Sequence, residues 1–279
     1  MKREPRFRAL IGSPLAPAAR VALGVLGVAL LIAGYEYYVH YNLQHGGSPK
    51  LSPGFGQLAA ALGEMTEADR RTGRAPFWSD TWASLAVLAK GLGLGVVVAV
   101  AVGIAMGVLS TVHALLSPVM TALAKIPAMA LLALFFVLFG VTGDALKIAL
   151  IVFGIGPSTI IGIMQVARAV PKNSIVKAYS LGASTPQVIV RAILPQIVPQ
   201  VIEMIRLALG PAWIYLIAAE YIASSEGIGH GIELAKKQTR IDVILVYVAW
   251  LAILGTAIDL GCHGLSRLVA PWATTRRDD

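Results

Sequence analysis

Apolar residues along this chain fall into long runs broken by short polar stretches. A bilayer core about 30 Å thick is crossed by about 20 helical residues. Six segments reach that length: 21–39, 82–109, 117–139, 146–167, 197–223 and 241–263. They predict an all-α membrane protein of about six transmembrane helices. Residues 40–81, between the first and second runs, are rich in Gly, Pro and charge. Within them Phe55, Leu58, Leu62 and Met65 recur at helical spacing. That spacing predicts a short helix with one apolar face, lying on the membrane surface or against its neighbours.

Small residues and prolines mark positions within the spans. Gly91/Gly95 and Gly103/Gly107 form two small-xxx-small pairs, which let neighbouring helices approach closely. Packing within one subunit is favoured there over a dimer seam. Pro127 removes a backbone hydrogen bond and bends or breaks the third span, making that region a pathway wall. In the fifth span Gly210 and Pro211 add a second bend, bringing Trp213 and Tyr215 onto lining positions. Trp213, Leu216 and Glu220 share one helical face. This face and the Pro127 region are the expected lining of a route. For Glu220 an anchoring role, paired with a basic residue of 236–240, outweighs direct substrate contact.

Composition agrees with a membrane protein: of 279 residues 57% are hydrophobic and only 14% charged. The net charge of +8 reads as topology rather than nucleic-acid binding, because Lys2, Arg3, Arg6, Arg8 and Arg20 precede the first span and Arg276 and Arg277 follow the last. Lys and Arg are in excess in the segments that are cytoplasmic if both termini are cytoplasmic. The first run has full spanning length and ends in tyrosines instead of a small-residue cleavage site, so it reads as a span and not a cleaved signal. The expected organisation is a cytoplasmic tail 1–20, a first span 21–39, an extracytoplasmic segment 40–81, a five-span core 82–272 and a tail 273–279.

Chemistry of the enzymatic kind is missing. There is no G-x-x-x-x-G-K-[ST] phosphate loop and no H-E-x-x-H, the five histidines are scattered, and Cys262 is the single cysteine. Six spans without a catalytic constellation point to movement of a solute. A self-contained channel or secondary transporter requires mid-span charges or an inverted repeat. Glu36, Asp259 and Glu220 lie toward span ends, and no repeat is evident. A membrane scaffold requires neither Pro127 nor the segment described next.

Residues 177–195, KAYSLGASTPQVIVRAILP, lie between two apolar runs. A helix ending near Leu181, a corner at Gly182, and a second helix beginning at Ser184 or Thr185 with Pro186 at its first position fit these residues. Leu181, Val188 and Leu194 supply an apolar face. At these residues the sequence resembles the permease subunits of ABC importers, whose cytoplasmic coupling loop carries E-A-A, three residues, G, nine residues, I-x-L-P. Ala178, Gly182, Leu194 and Pro195 match. Val176 stands for the glutamate, Lys177 for the first alanine and Ala192 for the isoleucine, leaving the glycine corner intact.

The likeness covers roughly residues 80–272 and is to the nitrate/taurine/alkanesulfonate/bicarbonate branch. It implies a type I importer permease fold with a coupling loop at 168–195, in which Lys177, Ala178, Tyr179, Ser180, Leu181, Gly182, Ala183, Ser184, Leu194 and Pro195 contact the ATPase. It also implies the partners: a second permease copy, a cytoplasmic ATPase dimer that holds ATP and Mg²⁺, and an extracytoplasmic binding protein, all at a bacterial inner membrane. The implied cargo is a small polar solute, often an oxyanion. A small organic or cationic nitrogen compound is the alternative, since no span shows an obvious Lys or Arg at mid-membrane.

Overall fold

The computed structural model describes residues 16–46, 48, 51–68, 73–140 and 143–269. Lys2, Arg3, Arg6, Arg8, Arg276 and Arg277, on which the expected orientation partly rests, lie outside these residues. Among the described residues all regular structure is helical. Five helices are long and apolar enough to cross a membrane: α1 (Pro17–Gln44), α3 (Pro76–Val108), α6 (Ala145–Arg168), α9 (Leu194–Ala223) with the short α8 (Thr185–Val188) running into it, and α11 (Ile241–Val269). A further pair, α4 (Ser110–Leu123) and the segment Ala128–Phe139 that ends in α5 (Leu132–Phe139), is long and apolar enough only when taken together and is bent by 84° at the break, which makes five spans, or six if the pair is one broken span. Shorter helices α2 (Phe55–Thr66), α7 (Lys172–Ser180) and α10 (Ile228–Lys237) join them.

The break has its cause in Pro127. Proline has no N–H to donate and pushes the preceding residue out of the helical region. Pro127 is extended, and the chain restarts through a four-residue 3₁₀ turn, Ala128–Leu131, before α5. The run 117–139 is therefore two helices, and the first of them begins earlier than expected, at Ser110. α3 also starts earlier, at Pro76, where a proline costs nothing because the first N–H of a helix has no partner.

The centre of the bundle is the pair α3 and α6. A Cβ built on Gly91 would lie 2.8 Å from Ile151 Cδ1, on Gly95 3.1 Å from Ile155 Cδ1, on Gly103 2.8 Å from Ile163 Cβ, and on Gly107 2.6 Å from Ala167 Cβ. The offset between partners is the same in all four pairs, so the helices run parallel and the isoleucines of one fill the notches of the other. Both predicted small-residue pairs are thus used within one chain. On its other side α6 offers Gly154 to the Tyr215 ring and Gly162 to Met204 Sδ, in the reverse order expected for antiparallel α9. With partners on two sides, α6 contributes Leu150, Ile151 and Ile163, none of which is accessible to solvent.

At the end of the bundle opposite α7, α2 packs on α11 through Leu58, Ala61 and Met65, while Phe55 and Leu62 remain 46% and 41% exposed. The apolar face is therefore rotated from the predicted one, with Ala61 in the place expected for Leu62. A small residue lets α2 lie closer, and Phe55 instead meets Tyr35 of α1 edge to face. Arg240, ahead of α11, bonds Asp242 and reaches Glu64 of α2 at 2.9 Å. The hydrogen bond from the Arg240 guanidinium holds the Glu64 carboxyl below the usual carboxylate range. α1 touches the rest mainly at its final turns, where Val39 is buried and Asn42 donates to Ser52. Its apolar remainder suits lipid.

Two outcomes follow from this packing. Gly103→Ala and Gly107→Ala should each lower the thermal midpoint of the detergent-purified protein, overpacking a tight contact by about 1–3 kcal/mol, whereas Gly93→Ala, with nothing within 4 Å of the new methyl, should leave it unchanged. Because the folded Glu64 carboxyl is lowered, its contribution is present at neutral pH and is lost as pH falls through its folded value. Hydrogen exchange in α2 should therefore rise selectively in acid, and Arg240→Gln should reproduce that rise at neutral pH.

Candidate functional site

The segment 172–195 forms a corner at one end of the bundle. α7 ends in a Schellman arrangement: the Gly182 N–H donates to Tyr179 O and the Ala183 N–H to Ala178 O, at 2.9 and 3.1 Å. Gly182 has φ of +82°, in the left-handed region that favours glycine. Among the described residues nothing lies within 4 Å of a Cβ built there, so backbone conformation and not close approach requires the glycine. Ser184 then caps α8 in a reciprocal capping box with Gln187. Pro186 occupies the second helical position, one later than expected, behind Thr185.

Val188 is buried and Leu194 half-buried, while Leu181 is 88% exposed. The predicted apolar face is thus split, and Leu181 projects from the corner with Tyr179 and Val176 also exposed. Ala178 and Ala183 pack against the core, leaving Lys177, Ser180, Ser184 and Pro195 outward. α8 passes through a five-residue π segment, Ile189–Ile193, into α9. The result is one continuous helix from Thr185 to Ile222.

The far end of that helix carries Glu220, which is 1% exposed. Its carboxylate accepts the Ser84 hydroxyl at 2.8 Å and the Gly229 N–H at 3.0 Å. Ser84 in turn accepts the Ile228 N–H at 2.8 Å. The carboxylate therefore sits at the N-terminus of α10, where unpaired N–H groups favour negative charge. Gly227, with φ of +107°, approaches so closely that a Cβ would lie 2.5 Å from Glu220 Cδ.

Around this centre Asp80 accepts the Tyr247 hydroxyl at 2.6 Å and the Gly227 N–H at 3.2 Å, and Trp250 donates to Thr81 at 2.9 Å. Three spans and α10 are locked at one level. The basic residues of 236–240 are engaged elsewhere: Lys236 over the Tyr221 ring, Lys237 with Glu233, and Arg240 with Glu64 and Asp242. Near the same end Lys147 contacts Asp144 and Ser224. Lys90, which bonds Asp144 at 2.8 Å, holds that carboxyl below the usual carboxylate range.

The face shared by Trp213, Leu216 and Glu220 turns into the bundle, where Leu216 is buried with Val87 and Ile155. Trp213 packs beside it and also borders an open apolar hollow between α9 and α11. Pro127 lies elsewhere, on a cavity of about 300 Å³ whose other walls are Pro157 and Ser158 of α6 and Pro211 and Tyr215 of α9. The structure thus brings Pro127 together with Pro211 and Tyr215 and not with Glu220. Pro157 and Pro211 each leave the carbonyl four residues earlier without its helical donor.

Sequence patterns did not single out Ser84, Asp80, Tyr247, Ser158 or Lys125. A visible signal for the first group was the run EGIGHGI, whose closely spaced glycines mark a backbone pressed against something.

The chain matches the family described as binding-protein-dependent transport system inner membrane component over residues 91–274. It is 34% identical over 198 residues to the taurine transport system permease protein TauC of Escherichia coli, covering 71% of this chain and 72% of the relative. To the bicarbonate transport system permease protein CmpB of Synechocystis sp. it is 27% identical, over 70% and 69% of the two chains. A chain in a solved structure of the MetNI methionine ABC transporter, inward facing, superposes with a TM-score of 0.61 at 19% identity over 67% of this chain and 93% of its own, the type I importer permease fold. A bundle of apolar spans, one of them broken, with a glycine corner heading a continuous helix, is thus matched in sequence and in fold, and the chain belongs to the family of inner-membrane permease components of binding-protein-dependent transport systems.

Proposed function

We propose that this chain is the membrane subunit of an ATP-driven importer for a small sulfonate- or bicarbonate-like solute. Two copies form the route, a cytoplasmic ATPase dimer holds ATP and Mg²⁺, and an extracytoplasmic binding protein delivers cargo. The relatives whose names specify taurine, aliphatic sulfonates and bicarbonate support the cargo class. Both termini and the corner at Gly182 face the cytoplasm, and α2 and α10 face outward. The excess of basic residues on the former side supports this orientation.

The observation that carries the coupling role is the corner that leads without interruption into the helix from Thr185 to Ile222. Tyr179, Leu181 and Gly182 present an exposed, partly apolar knob suited to a cleft in the ATPase. A displacement of Ser184 is passed along α9, at about 1.5 Å per residue, to Pro211, Tyr215 and finally Glu220. Glu220 acts there as an anchor that carries α10 with the helix. The route is bordered by Pro127, Pro211 and Tyr215, with Trp213 and Leu216 behind them as support.

Reconstituted with its ATPase and binding protein, Gly182→Val should cut uptake of the cognate solute at least about tenfold, since a β-branched residue resists positive φ. Full transport with unchanged assembly would overturn the coupling assignment. Glu220→Gln weakens charge-assisted bonds worth about 1.5–3 kcal/mol each. It should raise hydrogen exchange across 227–237 and slow uptake, and unaltered exchange there would remove Glu220 as the anchor of α10.

A further inference from the structure

We propose that Lys125 makes the cavity at the broken span a binding subsite for small oxyanions, sulfonate or carboxylate in class. This rests on reading that cavity as part of the transport route. Lys125 follows the last turn of α4 and is the only charged residue among the described ones lining the cavity. The opposite wall, from Phe153 to Ser158, is the middle third of α6, which places the cavity far from either end of the bundle.

Three basic residues well inside the crossing helices meet carboxylates: Lys90 and Lys147 face Asp144, and Arg206 bonds Glu203 and Asp259. Lys125 has no carboxylate partner among the described residues. An unpaired ammonium beside hydrocarbon is costly unless water or an anion meets it. Tyr215 adds a hydroxyl group within the same space, Ser158 adds a hydroxyl oxygen whose proton is donated to the Ile155 carbonyl at 3.1 Å, and no acidic side chain among the described residues lines it. A cation entering the cavity would be repelled, and an oxyanion would find one point charge and the Tyr215 hydroxyl, enough to select by sign without holding the solute tightly. Lys125 therefore supplies a basic residue at the break of the third span, two residues before Pro127.

The test uses the full chain with Cys262→Ser and Ser158→Cys, in nanodiscs of zwitterionic phosphatidylcholine. The new thiol is modified with sulfonatoethyl methanethiosulfonate or its trimethylammonioethyl counterpart, and rates are normalised to those of a free thiol in solution. The anionic reagent should be favoured by about tenfold or more, as expected for a charge acting in a cleft. Lys125→Gln should bring the ratio near one, and Lys125→Arg should keep it. A ratio indifferent to Lys125→Gln, or no modification by either reagent, would overturn the subsite. Uptake of ethanesulfonate and bicarbonate by the complete transporter is read in parallel. A charge preference abolished by Lys125→Gln in a complex that imports neither anion would support the subsite and count against the importer reading, and import of both at equal rates with and without Lys125 would do the reverse.

Discussion

Everything else in this bundle is placed by the parallel contact between α3 and α6. In lipid, helices gain little from hiding apolar surface from one another, so association depends on how closely backbones can approach. Four positions on α3 without side chains, each facing a residue of α6 at constant offset, provide that approach over most of the membrane thickness. Once α6 is set against α3, its own glycines at 154 and 162 fix the depth of α9 through Tyr215 and Met204. The position of the cavity wall is therefore a result of notches two helices away.

Polar groups are handled differently at the two ends. At the α10 end, Glu220, Ser84, Asp80, Thr81, Tyr247 and Trp250 are hydrogen-bonded to one another or to backbone N–H groups. Such a fully satisfied cluster rigidifies its surroundings, because breaking any bond leaves a desolvated partner. At the α7 end the bonds are mostly local, made within a few residues of the corner. One end is built to stay together, and the other to present a surface.

The spans, the break at Pro127 and the corner at Gly182 were legible because each has a short-range cause: run length, a missing N–H, or a required positive φ. The Gly91–Gly107 pattern was legible for the same reason. The Glu220 cluster was not, since Ser84 and Tyr247 are remote in sequence and nothing local marks them as partners. Its acidic residue was visible, but helical phase alone could not say whether that face looked to a cavity or to α3. The rotation of α2 likewise turned on Ala61, whose smallness only matters once α11 is beside it. Lys125 was passed over because hydropathy averages one charge into an apolar run, and only the folded chain shows that it lines a cavity.

The π segment at Ile189–Ile193 bears on how α8 and α9 behave as one body. A wider turn amounts to a residue inserted into an otherwise regular helix, so the two sides of it are out of angular phase by about a third of a turn. Push and pull along the axis pass through such a join, because the backbone hydrogen bonds are still made. Rotation about the axis does not pass as well, since an extra residue can be shifted along the helix like a wrinkle. The join is thus stiff in thrust, and its extra residue is what lets Val188 and Ile193, five apart, face the same core as Ile197 and Val201 of α9.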